Sequence, residues 1–195
     1  MTALNFLLRK SQRQQPQLSS STTGFTLVEL LVVIIMAGIL AAMGGVSFLS
    51  QLNRQRLNAA QDIALSAIRE AQTRAQQQKS NWKVSFKEED NQVKWMVHPS
   101  NVVPPATSAS WNNIGQPDIK IDGTANYLIP AGNPSQGFIW QAEFDHRGNV
   151  VNKVVNAPLP RITLFSSKLS RKRCVKIKTI LGAITPDSDD KCGQN

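Results

Sequence analysis

The chain has 195 residues, 41% hydrophobic and 18% charged, too apolar for wholesale disorder and long enough for one domain with its own core. Two cysteines and two histidines are too few for a disulfide-dense miniprotein, a four-cysteine zinc site or a multi-histidine metal cluster. Lys and Arg outnumber Asp and Glu by 22 to 13, a formal charge of +9 that favours polyanions without specifying one.

Residues 1–24 hold Arg9, Lys10 and Arg13 and no acid. An apolar run follows over residues 25–49, and after Glu29 no charge occurs until Arg54. Twenty uncharged residues are enough for a helix to cross about 30 Å of hydrocarbon. A buried core helix of that length would normally keep a polar face. A cleaved secretory signal would have a shorter apolar stretch, about 7–15 residues, with its small residues after it rather than inside it. The run therefore predicts a membrane span. The three cations before it put the N-terminus in the cytoplasm and everything after it outside. Glu29 is the anomaly, a lone carboxylate at the start of an apolar helix with no cation nearby in sequence.

The helical pattern continues beyond the run. Leu57, Ala60, Ala64, Ala67, Ile68, Ala71 and Ala75 recur at three- and four-residue steps. A single helix over residues 25–78 would be about 80 Å long. The period then changes to two. Trp82, Val84 and Phe86 alternate with polar residues, as do Val93, Trp95 and Val97, which predicts a hairpin turning at residues 88–91. Residues 99–118, rich in Pro, Ser and Asn, read as a surface loop. Residues 138–144 and 150–155 flank Asp145-His146-Arg147-Gly148-Asn149 as a second hairpin, and residues 161–166 and 174–180 give two more strands. The fold class is α+β, a long N-terminal helix packed on an antiparallel sheet domain. Its expected parts are a leader (1–24), a membrane or filament-core helix (25–49), an amphipathic continuation (50–79) and a β-rich domain (80–195).

Gly24-Phe25-Thr26-Leu27-Val28-Glu29-Leu30-Leu31, after a basic leader and before an unbroken apolar helix, resembles the processing site of type IV prepilins and type II secretion pseudopilins. The resemblance implies that a prepilin peptidase of the inner membrane cuts after Gly24 and methylates the new amine of Phe25. It also implies that Glu29 serves filament assembly with other pilins, by neutralising the α-ammonium of a neighbouring subunit in an apolar setting. The order of a long helix, a Trp-containing hairpin, Phe144-Asp145-His146-Arg147-Gly148-Asn149 and a basic strand before Leu181-Gly182 is similar to FimT/GspH-type minor pilins. The Gly-Asn turn also has a purely conformational explanation.

Outside the cytoplasm, Cys174 and Cys192 read as a disulfide, with two free thiols or a metal pair as the alternatives. Residues 187–190 (Asp-Ser-Asp-Asp) read as a solvated loop, because the spacing fails the EF-hand pattern, with a calcium site of the kind some pseudopilins carry in this region as the alternative that the resemblance implies. No cofactor is implied. No Gly-rich phosphate loop is present, and neither His98 nor His146 is tied to a nucleophile motif, so an enzyme reading has no site. Lys168, Arg171, Lys172, Arg173, Lys176 and Lys178 lie within eleven residues, with no acid between His146 and Asp187. They read as a cationic strand, uncompensated locally, for DNA phosphates or, more plainly, as an edge strand blunted by charge. Some FimT-like pilins bind DNA through a C-terminal Gly-Arg-x-Arg. Here the stretch is Gly182-Ala183-Ile184-Thr185, without either arginine.

Overall fold

The computed structural model describes residues 24–105, 110–123, 129–131, 139–151 and 159–193. Residues 1–23 of the expected leader, and residues 138 and 152–155 of the expected second hairpin, lie outside them. Helix α1 runs Leu27–Gln78. Thr26 caps it: its Oγ1 accepts the Glu29 N–H at 3.2 Å and its carbonyl accepts the Leu30 N–H at 3.1 Å. The chain divides into two units, Met1–Met43 and Gly44–Asn195.

In the first unit, α1 is apolar all round, and its described large apolar side chains are exposed, from 42% at Val32 to 80% at Leu27. Among the described residues no helix is long and apolar enough to cross a membrane. The expected span passes through residues 43–47, whose side chains lie outside that description.

Among the described residues, the second unit forms two sheets. Strands β1 (Trp82–Glu89), β2 (Gln92–Pro99), β3 (Asn112–Asn113), β5 (Ile129–Ala131) and β6 (Ile139–Phe144) form the first, in the order β3-β2-β1-β6-β5. Strands β4 (Ile119–Ile121), β7 (Arg161–Ser166), β8 (Lys172–Ile177) and β9 (Ile184–Ser188) form the second, in the order β4-β7-β8-β9. All pairings are antiparallel. The β1–β2 turn falls on Asp90 and Asn91, both at positive φ, as a two-residue hairpin requires.

The core lies between the second half of α1 and the sheets. All seven residues of the expected stripe are at most 1% exposed, packed with Trp82, Val84, Phe86, Phe144, Ile162, Leu164 and Val175. Alanine dominates that stripe, and its small side chain lets the sheets approach the helix closely. Helix glutamines fasten the contact. Gln61 Nε2 donates to the carbonyls of Cys174 (2.7 Å) and Asp187 (2.8 Å), and Gln72 Nε2 to those of Gly148 (2.9 Å) and Gly182 (3.0 Å).

Several expectations need correction. Residues 99–118 are more than a surface loop: Trp111 and Ile114 are buried, β3 pairs with β2, and Trp111 Nε1 donates to the Pro105 carbonyl at 2.9 Å. Strand β8 ends at Ile177 rather than at residue 180. Residues 184–188, whose end was expected to be a solvated loop, form β9, because the β8 main chain offers its free edge there.

Candidate functional site

At the helix start, Phe25 is 82% exposed and Glu29 stands in the first turn, on the solvent side of the Thr26 cap. The main-chain N–H groups of that turn favour a negative charge there. A Cβ added at Gly24 would meet open space among the described residues.

The Asp145–Asn149 turn is built by its own side chains. Asp145 Oδ1 accepts the N–H groups of Arg147 and Asn149, both at 2.8 Å, and Asn149 Nδ2 donates to Asp145 Oδ2 at 3.1 Å. Burial pushes the Asp145 carboxyl up, but these hydrogen bonds outweigh it and hold the group below the usual carboxylate range. Gly148 (φ +83) and Gly182 (φ +80) bring two turns under the helix. A Cβ on Gly148 would strike Gln76, and one on Gly182 would strike Gln72 and the Gly148 carbonyl. The Phe-Asp-His-Arg-Gly-Asn motif is thus accounted for by conformation and packing.

The basic segment is not uncompensated. Lys168 pairs with Asp118 at 2.7 Å, Lys172 with Asp122 at 2.5 Å and Lys176 with Asp187 at 3.0 Å. Arg173 and Arg171 both face Asp189, at 3.3 and 3.7 Å. The acids come from the two flanks of β4 and from the C-terminal segment, which the fold returns to the strand. Lys178 alone of the six makes no ion pair among the described residues. Cys174 and Cys192, both buried, form a disulfide that ties the 3-10 turn Asp189–Cys192 to β8.

One polar cluster joins residues that no local pattern in the chain connects. On the face of the first sheet away from α1, Ser85 Oγ lies 2.8 Å from His98 Nε2, and Gln141 Nε2 donates to Ser85 Oγ at 3.0 Å. Nδ1 of His98 lies 2.9 Å from the Pro99 carbonyl, which can only accept, so Nδ1 carries the proton and Nε2 accepts from Ser85. Ser85 is fully buried and His98 4% exposed. A serine–histidine pair without access to a substrate is a packing network, not a nucleophile. Burial, aided by Lys83, lowers the His98 pKa below its ordinary value.

Residues 20–45 match the family model described as the prokaryotic N-terminal methylation motif. The matched stretch contains Gly24, Phe25 and Glu29. No curated protein matches the chain. Among solved structures, the type IV minor pilin FimU of Pseudomonas aeruginosa PAO1 is similar in two crystal forms. One is 13% identical over 71% of this chain and 96% of that chain, with a TM-score of 0.46. The other is 12% identical over 70% and 99%, with a TM-score of 0.43.

Proposed function

We propose that this chain belongs to the type IV pilin family and is a minor structural subunit of a type IV pilus or of a related type II secretion pseudopilus. The observation that carries the reading is the helix start: an all-round apolar surface left exposed in the isolated chain, interrupted by one carboxylate at the fifth residue after Gly24. A helix of that kind needs lipid or like helices around it. Cleavage after Gly24 would create an α-ammonium at Phe25, the cation that Glu29 lacks. The Glu29 of one subunit and the amine of its neighbour would then set register in the filament core. Before assembly the chain would sit in the inner membrane with the sheet domain outside the cytoplasm, as Arg9, Lys10 and Arg13 direct. The role is mechanical rather than catalytic, with prepilin peptidase and other pilins as partners. DNA capture during uptake has less behind it, because five of the six cations already face a carboxylate.

Mass spectrometry of protein purified from membranes that hold the peptidase tests the reading. Methylated Phe25 is expected as the first residue; an intact Met1 terminus would overturn it. Glu29→Gln should lower incorporation into filaments by about tenfold or more, since an unmatched buried charge remains, with the sheet domain still folded.

A further inference from the structure

Asp189 is the hub of the C-terminal segment. Its Oδ1 accepts the main-chain N–H of Lys172 at 3.1 Å, and its Oδ2 faces Nη1 of Arg173 at 3.3 Å and Nη1 of Arg171 at 3.7 Å. Arg173 is held in place independently, since its Nε donates to Asn58 Oδ1 on α1 at 2.8 Å. The guanidinium contacts are longer than the roughly 2.7–2.9 Å of a tight charge-assisted hydrogen bond, so the carboxylate fits loosely. A recess of about 370 Å³ opens beside it, lined by Ser170, Lys172, Asp190 and Gly193.

Charge bookkeeping singles out the same spot. Lys168, Lys172 and Lys176 each have an acid of their own, whereas Arg171 and Arg173 share one carboxylate. Two guanidiniums and a main-chain N–H converging on two oxygens suit a tetrahedral oxyanion as well as a carboxylate, with more acceptor oxygens to fill the donors. The geometry points to a phosphate-binding cradle formed by Arg171, Arg173 and the Lys172 N–H, plugged by the chain's own Asp189. Rotation of the Asp189 side chain vacates the cradle. It breaks neither the β8–β9 ladder nor the Cys174–Cys192 link, which hold the segment on either side. This site is independent of the assembly role proposed above.

The test uses the full chain in neutral detergent. Asp189→Gly removes the plug at a backbone position (φ +49) that glycine adopts freely, and Asp189→Asn is the second variant should glycine loosen the turn. Thermal unfolding is compared in inorganic phosphate and in chloride at equal ionic strength. Phosphate should raise the Tm of both Asp189 variants by a few degrees through preferential binding to the folded state. It should do much less for the native chain. Adding Arg171→Ala and Arg173→Ala to either variant should abolish the rise. Anisotropy with a labelled single-stranded oligonucleotide separates the sources. A gain of about tenfold in affinity over the native chain assigns the cradle to nucleic-acid phosphodiesters. An unchanged affinity, with the phosphate effect intact, assigns it to free phosphate. Asp62→Asn, on the exposed face of α1, makes the same charge change elsewhere and should do neither. An equal effect in Asp62→Asn, or no phosphate-specific effect in either Asp189 variant, overturns the cradle.

Discussion

The two halves of α1 are both rich in apolar residues, yet they meet opposite fates. Residues 27–40 leave Val28, Leu30, Ile34, Met36 and Leu40 more than half exposed, whereas Leu57, Ala60, Ala64, Ala67, Ile68, Ala71 and Ala75 are at most 1% exposed. The difference is one of pattern rather than of hydrophobicity. A one-sided stripe of small residues can be covered by a sheet from the same chain. An apolar surface on every side has no face left for water, and among the described residues nothing covers it. The first half is thus made for surroundings that the second half finds within its own domain.

The largest effect separates two identical side chains. Phe86 is fully buried under α1, while Phe48 is 64% exposed. Phe86→Ala should lower the unfolding free energy by about 3–5 kcal/mol, the cost of lost transfer energy and a cavity. Phe48→Ala should change it by less than about 0.5 kcal/mol. Urea titrations of the two variants, followed by tryptophan fluorescence of the sheet domain, make the measurement. Equal losses would break the comparison.

A smaller effect comes from the places where the second half of the helix meets the turns. Gly182→Ala would put a Cβ against Gln72 at a φ of +80, and Gly148→Ala one against Gln76 at +83. Each should cost about 1–3 kcal/mol. Because Gln72 bonds to the carbonyls of both glycines, the double variant should cost less than the sum of the singles. Strict additivity would show that the two turns respond separately.

Overpacking probes the stripe in between. Ala71→Leu should destabilise by about 1–3 kcal/mol, since a fully buried alanine leaves no room for three more carbons. Ala37→Leu, in the exposed first half, should be neutral to within about 0.5 kcal/mol in the same titration.

The alanine stripe, the β1–β2 hairpin and β7 were legible because each is a local period, 3.6 or 2, written in consecutive residues. Strand β9 was not, because Pro186 and Asp187 have poor strand propensity and the segment is a strand only by lying on the β8 edge. Trp111 and Ile114 were hidden in a Pro- and Ser-rich stretch whose turns are polar although its anchors are buried. The helix glutamines carry no local pattern that marks them. Their role depends on carbonyls more than seventy residues away. The same distance in sequence concealed the partners of the basic strand: Asp118 and Asp122 precede it by about fifty residues, and none of the acids lies among the cations. At the helix start the resemblance was legible, because its residues are contiguous, and residues 20–45 match the N-terminal methylation motif.

The smallest effect should come from the sheet face that α1 does not touch, where His98 sits. With Nδ1–H donated to the Pro99 carbonyl and Nε2 accepting from Ser85, the ring is placed as neutral imidazole. Protonation would place a charge in a buried site near Lys83, and would deprive the Ser85 hydroxyl of its acceptor. The folded-state pKa therefore lies below that of the unfolded chain, about 6.5. Its unfolded form binds more protons in that window. Stability should be whole above pH about 6.5 and decline as the pH falls through that value toward the folded pKa. Urea midpoints measured from neutral pH down to about 5 stay above the range where Asp145 and Glu89, both held below ordinary carboxylate values, begin to protonate. His98→Gln, which cannot titrate, should flatten the decline, while Phe48→Ala should leave it unchanged. A midpoint that rises on acidification, or a decline that survives in His98→Gln, would show that the ring is not held neutral by its burial.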